Sequence, residues 1–180
     1  MSGYNRRQIG RVAFYAVALG AMLLDQITKA AARSYLSFDK KVGLVPGLVS
    51  MKLVENPGAA FGALGRWSPF LILVGIVAVL IIFGMRRERS KSRILAPSLG
   101  LLLGGTIGNL IDRLRFNGRV TDFIDFDVAI NLKGRAFAWP TFNVADIALT
   151  FGVLLLIYHV FIVERRSTEE NFSQESNNNN

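Results

Sequence analysis

The sequence predicts an α-helical membrane protein with four transmembrane helices, and three observations carry that prediction. Hydrophobic residues make up 51% of the chain and mean hydropathy is +0.36, high for a water-soluble domain. Four apolar runs follow one another along 180 residues, a length that fits one domain. The net charge of +8 sits beside those runs, where anionic lipid headgroups are a more economical partner than nucleic acid.

Each element follows from its local pattern. After Arg6, Arg7 and Arg11, the run Val12 to Leu24 is too short to span, so the first helix is expected to continue through Asp25 and Lys29, over about residues 12–32. Asp25 and Lys29 stand at i and i+4 with the acid first, so each offsets part of the other's burial cost. Residues 33–66 are rich in turn formers. Gly47 to Val54 alternates weakly, Asn56-Pro57-Gly58 makes a turn, and a small sheet at the membrane surface is expected. Ala59, Ala60, Phe61 and Gly62 then offer a small apolar backbone that an extended peptide or lipid chain could approach.

Trp67 to Met85 carries no charge and is long enough for a second span, 67–85. Arg86, Arg87, Arg89, Lys91 and Arg93 follow it, the densest basic cluster in the chain. In the third span, 94–112, Gly100, Gly104 and Gly108 lie on one face, where a neighbouring backbone can come close. Asp112 lies one turn beyond on the same stripe, and Asn109, Asp112 and Arg113 share that helix end. In the second long loop, 113–142, acids and apolar residues interleave from Val120 to Asp127, as in a segment lying along the interface. Asn143 caps the fourth span, 143–163, and Asp146 falls in its first turn. His159 lies near the far end as a packed or interfacial residue. These elements form one membrane domain, residues 1–166, followed by a polar tail, 167–180, that is expected to be disordered.

Four spans put both termini on one side. Lys and Arg flanking the spans divide evenly, ten to each side, but those of the N-terminus and the 86–93 loop lie closest to the spans. Termini are therefore expected inside and both long loops outside. That topology gathers Asp25, Lys29, Asn109, Asp112, Asn143 and Asp146 at one depth near the outer face. A transporter or channel subunit relaying protons through the same acids would need polar groups continuing inward, and here they largely stop above His159.

Cysteine is absent and histidine single, which removes a thiolate nucleophile, a disulfide framework and an HExxH zinc site. Several acids at one depth favour a water activated by carboxylates: one acts as base, the other as acid, and the pair shares a proton. No serine lies at this depth with lysine at helical spacing. A carboxylate-bound divalent metal stays open, and Asp112, Asp122, Asp125 and Asp146 are all eligible on position.

Five blocks taken together resemble the bacterial lipoprotein signal peptidase, or signal peptidase II, family: Asp25 to Lys29, Glu55 to Phe61, Gly108 to Arg113, Val120 to Ile124, and Phe142 to Asp146. The resemblance implies an aspartic endopeptidase of the bacterial cytoplasmic (inner) membrane with Asp122 and Asp146 as its catalytic pair. It implies that Asn56, Gly58, Asn109, Asp112, Arg113 and Asn143 position the substrate or the dyad, while Asp25 and Lys29 support the fold or site. It further implies an extracytoplasmic β-cradle in 33–66 and a mobile interfacial helix in the loop before the fourth span. The implied substrate is a prolipoprotein carrying diacylglycerol on its lipobox cysteine, cut on the N-terminal side of that cysteine. Globomycin-type peptides would inhibit it. No metal, cofactor or nucleic acid is expected, and the chain is expected to work as a monomer among membrane lipids.

Overall fold

The computed structural model describes residues 3–38, 40–58, 68–88, 94–127, 129–132 and 135–164. The segment Ala59 to Gly62, the basic residues Arg89, Lys91 and Arg93, and the tail 167–180 lie outside the described residues.

Four helices carry the apolar runs. Helix α1 (Gly3–Tyr35) continues unbroken through Asp25 and Lys29. Helix α2 (Ser68–Glu88) and helix α3 (Leu95–Arg115) follow the second and third runs. Helix α4 (Val144–Tyr158) passes into a π-helical turn, His159–Glu164. Gln8–Tyr35, Leu95–Arg115 and Val144–Phe161 are long and apolar enough to cross a membrane; the apolar part of α2, Pro69–Met85, is shorter. At 1.5 Å per residue it still covers roughly 26 Å, close to the thickness of a bilayer core. Large side chains such as Leu80, Ile27 and Phe151 stand exposed on the outer helix faces, as lipid contact requires.

The α3 helix is the hub, packed against α1, α2 and α4, and its glycines allow this. A Cβ on Gly100 would lie 2.8 Å from the Phe14 carbonyl oxygen, and one on Gly104 2.5 Å from that of Ala18. At Gly108 the approaching group is a side chain, Asp25 Oδ2, at 2.5 Å from where a Cβ would stand. Gly105, on another face, admits the carbonyl of Ala145 from α4. Phe14, Ala18, Leu95, Leu99 and Leu103 fill the core between α1 and α3, closed by Ile82 of α2.

Strands β1 (Val42–Val45) and β2 (Val49–Asn56) form the expected small sheet, and its third strand, β3 (Val120–Phe126), comes from the second long loop. The order is β1-β2-β3, antiparallel throughout. Beneath it Ala32, Leu53 and Phe123 form a second apolar cluster that ties the sheet to the end of α1. A separate hairpin joins β4 (Ala129–Leu132) to β5 (Arg135–Ala138). Among the described residues, no helix lies between β3 and α4, where the resemblance implied an interfacial one. The acid–apolar interleaving of 120–127 has the period of a strand, and β-branched and aromatic residues there favour the ladder with β2.

One further pairing matters for the site. On the edge of β3 away from β2, Phe123 N and Ile124 N donate to the Phe142 carbonyl at 3.0 and 2.9 Å, and Phe142 N donates to Ile124 O at 2.9 Å. The residue that caps α4 is thereby brought beside β3.

Candidate functional site

Asn143 is extended, and its side-chain oxygen accepts from Asp146 N at 3.0 Å, while Asp146 Oδ2 accepts from Asn143 N at 3.1 Å. This reciprocal cap satisfies two of the orphan donors at the start of α4 and fixes Asp146 in its first turn. With its oxygen so engaged, the Asn143 amide nitrogen points the other way and donates to Asp122 Oδ1 at 2.6 Å. The two aspartates, one on a strand and one on a helix, are thus joined through a single asparagine. Asp122 Oδ2 accepts from Asn56 Nδ2 at 2.8 Å, and Asp146 Oδ1 from Asn109 Nδ2 at 3.0 Å.

Gly58 lies in the left-handed region (φ 95°), and its N–H donates to Asn56 Oδ1 at 2.9 Å, closing a turn that aims the Asn56 amide at Asp122. A Cβ there would run into the Leu71 side chain and stand 3.5 Å from Arg113 Nη1. Arg113 donates to the Gly118 carbonyl at 3.0 Å, and its charge lies within the field of Asp122, Asp146 and Asp112. Beside Arg113 and Asn109 a cavity of about 240 Å³ opens between α2, α3 and α4, its remaining lining mostly apolar, including Leu71, Val74 and Leu149.

Beneath this pair lies a network of charges with no solvent exposure. Lys29 Nζ stands 2.9 Å from Asp25 Oδ2 and 3.6 Å from Asp112 Oδ2, and donates to Asn109 Oδ1 at 2.8 Å. Asp25 Oδ1 accepts from Ala145 N at 2.9 Å, and Asp112 Oδ2 from Thr121 N at 2.9 Å. Each carboxylate therefore holds down the backbone beside one member of the upper pair: Ala145 precedes Asp146, and Thr121 precedes Asp122.

Asp122 is only 2% exposed. Burial pushes its carboxyl from the ordinary 3.8 up to about 6; the Asp146 charge adds to the rise, while hydrogen bonds from Asn56 and Asn143 and the charge of Lys29 oppose it. Asp146 is partly exposed, so the pair has a closed side and a side open to solvent.

Every site residue expected from the sequence falls in this one assembly: Asp122, Asp146, Asn56, Gly58, Asn109, Asp112, Arg113, Asn143, Asp25 and Lys29. Asp125, eligible on position alone, does not. Three residues along a strand from Asp122, it faces away and pairs with Lys41 at 2.5 Å and Lys52 at 3.0 Å. Burial would raise its pKa, but these ammonium groups and the Thr141 hydroxyl hold it below the usual carboxylate range. His159 is buried at the far end of α4, roughly 20 Å along the helix from Asp146. Sequence reasoning missed Gln26, whose amide reaches Asp25, the Gly108 carbonyl and Asp112, and also Arg33 and Thr121. Arg33 continues the Asp25, Lys29 face by one more turn, which was the available signal. Among the described residues, no three His, Cys, Asp or Glu side chains converge as a metal site would require.

The signal peptidase (SPase) II family model matches residues 17–162 of this chain. A lipoprotein signal peptidase of Symbiobacterium thermophilum is 40% identical over 155 residues, covering 84% of this chain and 96% of that protein. One from Geobacter sulfurreducens is 39% identical, covering 85% of this chain and 94% of the relative. Among solved structures, a bacterial membrane enzyme determined by the in meso method at 1.9 Å superposes with a TM-score of 0.72 and 27% identity, covering 83% of this chain and 92% of that one. Another, at 2.3 Å, gives a TM-score of 0.71 and 28% identity, covering 82% and 86%.

Proposed function

The chain belongs to the signal peptidase II family and is therefore a membrane peptidase, and from that premise we propose that it removes signal peptides from diacylglyceryl-modified prolipoproteins with Asp122 and Asp146 as an aspartic dyad. The observation that carries the reading is that Asn143 hydrogen-bonds both carboxylates, Asp122 through its amide nitrogen and Asp146 through its backbone N–H. Two acids held on one residue can bracket one water and share one proton.

In this reading the Asp146 carboxylate, on the open side, takes a proton from water as its oxygen attacks the carbonyl carbon on the N-terminal side of the lipidated cysteine. Asp122, shifted toward neutrality by burial, gives a proton to the carbonyl oxygen. Collapse of the tetrahedral diol then breaks the C–N bond: one hydroxyl returns its proton to Asp122 as the carbonyl re-forms, and the proton on Asp146 leaves with the cysteine's amine. Arg113 supplies donors to a substrate carbonyl, and Asn56, Gly58, Asn109, Asp112 and Asn143 position substrate or dyad. Asp25 and Lys29 hold the floor beneath.

The apolar cavity beside Asn109 and Arg113 suits a substrate that enters from hydrocarbon with its scissile amide at the polar end. Basic residues near the N-terminus and after α2 favour an arrangement with both termini cytoplasmic and the site near the extracytoplasmic face of the inner membrane. The chain acts as a monomer, and globomycin-type peptides compete for the site. The test is cleavage of a diacylglyceryl-modified precursor by purified protein, with and without chelator. Asp122→Asn and Asp146→Asn should each abolish turnover while inserting normally. Near-normal cleavage by either variant refutes the dyad, and inactivation by chelator refutes the metal-free mechanism.

A further inference from the structure

Asp122 lies next to a β-bulge in the neighbouring strand. The β2–β3 ladder keeps one register from Val49↔Phe126 to Met51↔Ile124 and another from Val54↔Asp122 to Asn56↔Val120, so it is interrupted opposite Phe123, the next residue. The extra residue is on β2, where Lys52 and Leu53 together oppose Phe123, so β2 bends there and the setting of Asp122 depends also on what holds β3 away from β2.

Phe142 holds β3 after Asp122, at Phe123 and Ile124, and before Asp122 the hold is on Thr121. Arg33 Nη1 donates to Thr121 Oγ1 at 2.6 Å, and the same nitrogen stands 3.7 Å from Asp112 Oδ2, the oxygen that accepts from Thr121 N. The guanidinium also lies 4.5 Å from the Phe116 ring centroid, in the turn that leads from α3 into β3. Thr121 is 3% exposed, so its hydroxyl has little access to water in place of this donor. Adjacent residues of a strand point to opposite faces, so fastening Thr121 toward α1 and α3 turns Asp122 toward Asn56 and Asn143.

We propose that Arg33 is a positioning residue for the reaction: through Thr121 it sets the carboxyl of Asp122 against its asparagine partners. This inference rests on the peptidase reading above. A guanidinium suits the task because its planar fork meets a hydroxyl, a carboxylate and a ring face at once; an ammonium on a flexible stem keeps the charge and loses the fixed geometry.

The test compares Arg33→Gln, Arg33→Lys, Thr121→Val and the double variant Arg33→Gln with Thr121→Val, in the full-length protein acting on a diacylglyceryl-modified precursor. Because displacement of a reacting group by a fraction of an ångström is costly, Arg33→Gln should lower kcat about tenfold or more, with KM within about twofold of wild type. Arg33→Lys should recover part of the loss, and the double variant should be no slower than the worse single one, as expected of two residues acting through one contact. Arg119→Gln removes a cation just before β3 whose side chain makes an exposed pair with Glu55, and should leave kcat unchanged. Normal kcat in Arg33→Gln, a loss confined to KM, additive losses in the double variant, or an equal loss in Arg119→Gln would each overturn the proposal. If the wild type does not cleave the precursor, it is the peptidase reading that fails; a wild type that cleaves beside an equally active Arg33→Gln sinks only this inference.

Discussion

The raised pKa of Asp122 makes the candidate acid a source of instability, and replacing it with asparagine separates that cost from catalysis. The carboxyl titrates near 3.8 when exposed and near 6 in the fold, so between those values the folded chain binds more protons than the unfolded one. Folding therefore becomes less favourable as pH rises through the window, and above it the full penalty stands, about 3 kcal/mol at 1.36 kcal/mol per pH unit. Asparagine has no charge to bury, but one of its two terminal atoms is an NH2. That group must face either Asn56 Nδ2 or Asn143 Nδ2, both donors, at a cost of about 1–3 kcal/mol. Near pH 4 the clash dominates and wild type should be the more stable; by pH 8 relief of the buried charge should equalise or reverse the order. A swing of about 3 kcal/mol corresponds to roughly 6–12 °C in relative Tm for a chain of this size. Thermal unfolding of both proteins in detergent from pH 4 to 8 reads it directly, since contributions common to the two cancel. A Tm difference independent of pH would show that the buried Asp122 charge carries no such penalty, and with it would go the argument that burial readies this carboxyl to hold a proton.

Other parts of the fold give further outcomes. Lys29→Met leaves Asp25 and Asp112 without their shared ammonium in a site closed to water, and should cost about 3–5 kcal/mol in thermal unfolding, with part recovered by adding Asp25→Asn. Gly104→Ala forces α1 and α3 apart, because a Cβ meets the Ala18 backbone, and should lower stability by about 1–3 kcal/mol. Gly84→Ala, where a Cβ meets open space, should leave the Tm within error. At the sheet, the hydrogen bonds that Lys41 donates to Asp125 and Asp127 raise its pKa, and that of Asp125 is itself depressed. Protection of the β1 amides in hydrogen exchange should therefore be full above the ordinary carboxylate range, lost as pH falls through the lowered value of Asp125, and weakened in Lys41→Ala.

Helices and buried polar groups were legible in the sequence for a physical reason: hydrocarbon tolerates so few charges that each one marks a contact. Asp25 and Lys29 announced a pair by spacing alone, and the Gly100, Gly104, Gly108 stripe announced a close neighbour. What the stripe did not disclose is that its last member admits a carboxylate rather than a backbone. The third strand was missed because 120–127 carries both an interfacial pattern and a strand pattern, and only pairing with β2 and Phe142 decides between them. Strand alternation, applied to Asp122 and Asp125, would have put them on opposite faces and removed Asp125 from the candidates. Thr121 and Arg33 gave weaker signals, since a threonine in a strand and an arginine at a helix end each satisfy an ordinary expectation.

The three asparagines of the site share one design. Each has its oxygen fixed by a donor that settles which way the amide faces: Gly58 N for Asn56, Lys29 Nζ for Asn109, Asp146 N for Asn143. Each then presents its NH2 to an aspartate. Among the described residues, no lysine or arginine forms an ion pair with Asp122 or Asp146; the buried ammonium of Lys29 is linked to Asp146 through Asn109. A direct cation would hold a carboxylate ionised and take it out of proton exchange, whereas a neutral donor orients it and leaves more of its basicity intact. Charged groups of the floor stay one residue back, where Lys29 fixes Asn109 and the carboxylates of Asp112 and Asp25 hold the backbone at Thr121 and Ala145. On the proposed reading, Asp122 and Asp146 are thereby left with the two properties that hydrolysis would require of a dyad, a fixed direction and a proton free to move.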